Sequence, residues 1–168
     1  MWASIVAVLG TLAGALTAGL LAHRAARTAR AEQRADRYRE DQIAAVADFA
    51  AALDAHRSAM FHRERLAMEE SSAAAVQRDG VASAEMTEHH QEAQTKSHDT
   101  RAAITAPHVR LQVLAPALAV PAQTAADATY AMRKANSRAD LDAMRRTAKD
   151  ASAAFVNAAA TLLASGRA

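Results

Sequence analysis

From Trp2 to Ala22 the chain reads WASIVAVLGTLAGALTAGLLA, a run of 21 residues without a charge in which only Ser4, Thr11 and Thr17 add hydroxyls. As a helix this run spans about 30 Å, the thickness of a bilayer's hydrocarbon core. It predicts a transmembrane anchor over residues 1–22, with Trp2 at the interface. A secretory signal would need positive charge ahead of the apolar stretch, and only Met1 precedes it. No Gly or Pro occurs between Leu20 and Asp79, so nothing stops the helix from running on. Ile43, Val46, Phe49, Leu53, Met60 and Phe61 recur at spacings of three and four, apart from one longer gap, and predict a buried face from residue 43 onward. Gly80 is the expected C-cap.

Ser83 can N-cap a second helix over about 84–115, with Glu85 and Glu88 in the turn where the helix dipole favours acids. Pro107 is expected to kink or break it. Val109, Leu111 and Val113 alternate with polar residues, but a single short strand has no partner in the sequence, so this stretch reads as helix. A third helix can open at Pro116 or Pro121 and run to about Ala135. Ser137 followed by Asp140 resembles a capping box ahead of the fourth helix. There Leu141, Met144, Ala148, Ala151, Phe155, Ala158 and Leu162 alternate steps of three and four until Gly166. The expected fold class is all-α, one N-terminal transmembrane helix continuing into a cytoplasmic antiparallel bundle of about four helices. The expected division is an anchor over 1–22, a basic juxtamembrane helix over 23–42 and a bundle domain over 43–166.

Composition supports the helical reading. Alanine dominates, and only three Phe, two Tyr and one Trp are present, so runs of strand-forming residues are missing. With no cysteine, disulfides and thiolate-bound metals are excluded. Charge is unevenly spread. Residues 23–39 hold six Arg against Glu32 and Asp36, net +4; residues 40–79 carry net −4 and residues 80–168 net +2, which sum to the +2 of the whole chain. The basic excess lies beside the apolar run, so no general polyanion-binding face follows and nucleic acid is not an expected partner.

Arg24, Arg27, Arg30, Arg34 and Arg37 are spaced 3, 3, 4 and 3, which gathers them into one band on a helix. Under the positive-inside rule such a flank stays cytoplasmic, predicting a single-pass inner-membrane protein with its N-terminus outside. The band is also placed to contact anionic lipid headgroups. Gly10 and Gly14 form a GxxxG pair through which two anchors could approach closely, which makes a homo-oligomer or a protein partner the other expected association.

Seven histidines are candidates for metal or acid–base chemistry. His89 and His90 are adjacent and diverge on a helix, while Glu85 with His89, and Glu88 with Glu92, stand four apart. Neither Glu-x-x-His nor HExxH occurs, so no metal site is expected. His56 and His62, flanked by Arg57, Arg63 and Arg65, read as an interaction surface or as snorkelling side chains rather than as catalytic groups. Phosphate-cradling glycine loops and nucleophile elbows are absent. No cofactor, catalytic residue or enzymatic activity is expected.

The opening GTLAGALTAGLLAHRAARTARAEQRADRYRE, and the later VRLQVLAP before an Ala-rich helix, resemble small membrane-anchored helical proteins of actinomycetes, among them the KilB-type plasmid-spread proteins of Streptomyces. The resemblance spans most of the chain, and Pro107 and Pro121 depart from its pattern. It implies a role in conjugative spread or in a host-encoded relative of it, and the leading expectation is a non-enzymatic, membrane-anchored interaction protein serving as an accessory factor in conjugative plasmid transfer or spread. Two alternatives remain at this stage: a membrane-active toxin or pore component, and a helical bundle that binds a lipid or small molecule.

Overall fold

The computed structural model describes the backbone of residues 2–76 and 84–165, and side chains of residues 23–24, 26–72 and 88–165. Among them are four α-helices and no strand: α1 Trp2–Val76, α2 Ala84–Leu114, α3 Ala119–Ala131 and α4 Arg138–Ser165. Single 3-10 turns, Pro116–Leu118 and Met132–Lys134, lead into and out of α3. The chain divides into two compact units, Met1–Glu40 and Asp41–Ala168. All packing described below lies within the second.

The membrane-spanning part of the expected fold is corrected. Among the described residues no helix is long and apolar enough to cross a membrane. From His23 onward α1 carries Arg24, Arg27, Arg30, Glu32, Arg34 and Asp36, so a charge recurs every two or three positions from Arg24 to Asp36, and the wider gaps beyond Asp41 are too short for an apolar span. The single-pass inner-membrane localisation falls with the spanning helix. The side chains of residues 1–22, on which that expectation rested, lie outside those described, as do Gly10 and Gly14. Gly80, Ser83 and Gly166 also fall outside the described residues.

Within the second unit, contacts between helices set their directions. Moving up α1, Gln42 donates to the Leu114 carbonyl at 2.7 Å, Asp48 accepts from Arg110 at 3.0 Å, His56 meets Thr100 at 3.0 Å and Glu70 meets His90 at 3.1 Å. Rising numbers on α1 meet falling numbers on α2, so the two are antiparallel. The same holds for α1 and α4, where Phe49 meets Phe155, Arg57 donates to Ser152 at 2.9 Å and Arg138 reaches Glu69 at 3.4 Å.

The core is built from alanines that let helices approach and a few large side chains that fill the space. Ala45, Ala122, Ala125, Ala126 and Ala159 surround Phe49, Leu53, Ile104, Leu111 and Phe155. Phe49 and Phe155 pack edge-to-face with centroids 5.2 Å apart, a favoured aromatic geometry. A smaller cluster of Met60, Met132 and Leu141 closes the far end of the core. Among the described residues of α1 the buried positions are Ala45, Phe49, Leu53, His56, Ala59 and Met60. Ile43, expected in the core, is 47% exposed. It stands two residues before Ala45, about 200° round the helix at 100° per residue, and so points away.

Pro107 does not end α2. The helix loses one hydrogen bond there, but His108 packs on Phe49, Leu111 is buried and Leu114 is tied to α1, so tertiary contacts hold both sides of the proline. Pro121 sits in the first turn of α3, where a missing N–H leaves no broken bond. At the start of α4, the Ser137 hydroxyl accepts from the Asp140 N–H at 3.1 Å, and the Asp140 carboxylate accepts from the Asn136 N–H at 3.0 Å. The cap is thus reciprocal, with its return bond one residue earlier than in a standard capping box.

A basic cleft around a buried histidine

The longer gap in the α1 face, between Leu53 and Met60, is filled by His56. It lies three residues after Leu53 and four before Met60, and so turns inward with them. Its ring is 1% exposed and packs edge-on against Tyr130 of α3, with centroids 5.5 Å apart. Expected on an interaction surface, it is instead part of the interior. The stripe of α1 carried the signal, because a residue at that register is buried whatever its polarity.

Around His56, α1 and α2 supply polar side chains of matched size. The Thr100 hydroxyl donates to backbone carbonyls of its own helix, at 2.8 Å to Lys96 and 3.2 Å to Ser97. Its single hydrogen is thereby used, so at 3.0 Å from His56 Nδ1 it accepts, and Nδ1 carries the proton. Nε2 is then the bare nitrogen of the ring, and it is buried without a hydrogen-bond partner. Burial first, and then the charges of Arg101 and Arg63, push the His56 pKa down from 6.5 to about 4, against a raising hydrogen bond to the Ser97 backbone. The ring is neutral at pH 7.

His56 stands on the wall of a cleft of about 320 Å³ between α1, α2 and the end of α3. Three arginines from three elements line it: Arg63 of α1, Arg101 of α2 and Arg133 of the turn after α3. Arg63 pairs with Glu64 and donates to the Ser97 hydroxyl at 3.3 Å, which in turn donates to Met60 Sδ at 3.2 Å. The Arg101 guanidinium lies 5.0 Å from the Tyr130 ring centroid, a cation–π contact. Neither Arg101 nor Arg133 forms an ion pair among the described residues. A larger hollow of about 680 Å³ beside Met68 and Asn136 holds charges already paired with one another, Arg65 and Arg138 both on Glu69.

The residues expected from sequence lie elsewhere. Arg24, Arg27, Arg30, Arg34 and Arg37 are all exposed on α1 within the first unit, and among the described residues none of their guanidiniums forms an ion pair. His62, Glu88, His89 and Glu92 are exposed, and His90 pairs with Glu70. Among the described residues no group of three or more His, Asp or Glu could hold a metal ion.

Comparison with known proteins gives two matches. The family model described as KilB plasmid transfer protein matches residues 43–163. Protein KilB of Streptomyces lividans is 44% identical over 160 residues, covering 95% of this chain and 97% of that protein. No solved structure matches. His56, Arg63, Arg101 and Arg133 all fall within the residues that the family model covers.

Proposed function

This chain belongs to the KilB plasmid transfer protein family, and from that membership we propose that it serves plasmid transfer as a non-enzymatic accessory protein acting through contact with a protein partner. The observation that carries the reading is the extent of the kinship. Likeness over 95% of the chain attaches the family's role to the whole molecule rather than to one borrowed segment.

The surface supports a contact role. Val113 is 72% exposed and Val120 77% exposed, on either side of the turn from α2 to α3, although the adjacent core residues Leu111 and Leu118 are fully buried. Large apolar side chains left in water beside a filled core contribute nothing to this fold and are suited to covering by another protein. Some charged side chains hold helices together, as Arg110 does with Asp41 and Asp48.

The test is a mating experiment. Donor cells carrying a plasmid from which the gene has been removed are supplied with the wild-type chain or with Val113→Lys/Val120→Lys, and transconjugants are counted. The wild type restores transfer. The double variant, at equal abundance and unchanged melting temperature, restores it at least tenfold less well. Transfer that never depends on the chain refutes the role, and full rescue by the variant refutes contact through these valines.

A further inference from the structure

The outward side of α2 carries a second apolar stripe that the bundle does not use. Ile104 and Leu111 are buried in the core, while Ala102, Ala106, Val109 and Val113 are exposed. Their steps are four, three and four, and at 100° per residue Ala102 and Val113 lie within about 20° of each other. Val109 and Val113 each stand two residues from Leu111, about 200° round the helix, so the stripe points away from the core. Pro107 is half-buried and about 100° from Ala106, which leaves the stripe clear. Valine is a poor residue for an exposed helix, because its branched side chain loses rotamer freedom there. Two of them on one outward stripe are accounted for when another surface covers it.

The charges beside the stripe are drawn off to other contacts. Arg101 lies over the Tyr130 ring, and Arg110 reaches Asp41 and Asp48 on α1. The face left between them is narrow, apolar and uncharged. It matches itself when a second α2 runs antiparallel across it. With the pair centred between Pro107 and His108, Ala102 meets Val113 of the second copy and Ala106 meets its Val109. A two-fold axis repeats both contacts in reverse. Every alanine then faces a valine, so small sits against large along the whole contact. A parallel pairing would instead set valine on valine and alanine on alanine. In the antiparallel register Arg101 comes level with Leu114 of the second copy and Arg110 with its Thr105, so no like charges meet.

We propose that this outward stripe of α2 is a self-association surface, on which a second copy of the chain packs its own α2 antiparallel. The proposal rests on the reading of Val113 as a contact residue and names the partner it meets. A contact of three helical turns falls short of the ~1,200–2,000 Å² that a stable interface buries, so the dimer is a weak one. Chemical cross-linking, which traps a weak complex, is therefore the suitable measurement.

The chain has no cysteine, so an introduced one is its sole thiol. Full-length Ala102→Cys and Val113→Cys chains are treated with a short bifunctional maleimide, each alone and as an equal mixture. In the antiparallel dimer positions 102 and 113 face each other. Two copies of the same position are 11 residues, about 16 Å, apart along the axis, beyond the reach of the reagent. The mixture gives at least fivefold more cross-linked dimer than either chain alone. Val109→Lys in both chains, an exposed substitution that leaves the core intact, removes most of that excess. Equal cross-linking in all three samples, no cross-linking in the mixture, or indifference to Val109→Lys overturns the proposal. Excess in the mixture alongside full mating rescue by Val113→Lys/Val120→Lys upholds the dimer and refutes contact through these valines in transfer. Impaired rescue without the excess means that the valines meet a different protein, and self-association through α2 falls.

Discussion

Burying a neutral histidine makes the bundle sensitive to acid in a defined window. At pH 7 the His56 ring is largely neutral whether the chain is folded or unfolded, so protonation contributes almost nothing to the balance there. Below its ordinary value of 6.5 the unfolded chain takes up a proton there, while the folded ring, held to about 4, does not. The unfolded state then binds more protons, so stability falls as pH falls from 6.5 toward 4 and levels off below. The full difference of about 2.5 units corresponds to about 3 kcal/mol, and about 2 kcal/mol is already lost at pH 5. The perturbation is His56→Asn, which keeps a donor toward Thr100 but does not titrate. Urea unfolding of the wild type and the variant at pH 7 and pH 5 gives two stabilities for each. The variant is the less stable of the two at pH 7, because its smaller side chain leaves the edge of the Tyr130 ring uncovered. From pH 7 to pH 5 the wild type loses about 2 kcal/mol more than the variant, since carboxylate effects are common to both and cancel. Equal losses refute the reasoning, because they mean the folded ring titrates as it does in water.

Two further outcomes follow from the packing and the cap. Phe155→Ala removes a ring that is 1% exposed and sits against Phe49, and destabilises the bundle by about 3–5 kcal/mol in urea unfolding; a loss under about 0.5 kcal/mol would mean that the stripe on α4 faces solvent. Ser137→Ala removes the acceptor of the Asp140 N–H and costs about 1 kcal/mol, which Ser137→Asn largely restores, whereas equal stability of Ser137→Ala and the wild type would show that Asp140 caps α4 alone.

The helices were legible wherever periodicity or punctuation was strong. The stripe on α4 is buried at Leu141, Ala148 and Phe155 and half-buried at Met144, Ala151, Ala158 and Leu162, as its spacing predicts. Ser137 caps that helix as its pattern with Asp140 implies. Pro107 does not break α2 as expected, because its penalty is local and the contacts that offset it come from Phe49 and Gln42, some 60 to 70 residues earlier. Counting apolar residues misled at two positions of the α1 face. Ile43 is apolar at an exposed register, and His56 is polar at a buried one, so geometry outweighed hydrophobicity in each case.

The cleft was harder to foresee for a reason that lies in the core itself. Arg63, Arg101 and Arg133 are separated by 38 and 32 residues, and nothing in their local sequences links them. They meet only because α1, α2 and the end of α3 are held in one register. Alanine contributes little to choosing that register, since each alanine leaves nearly the same hollow and sliding a helix by one turn would repack Ala on Ala. The choice falls to the few bulky side chains: Phe49 between His108 and Phe155, Met60 with Met132 and Leu141, and His56 on Tyr130. The His56 contact serves both purposes, since the ring that fixes α1 against α3 also lines the cleft where the arginines converge. A core this poor in large residues therefore makes its register and its basic cleft depend on the same side chain.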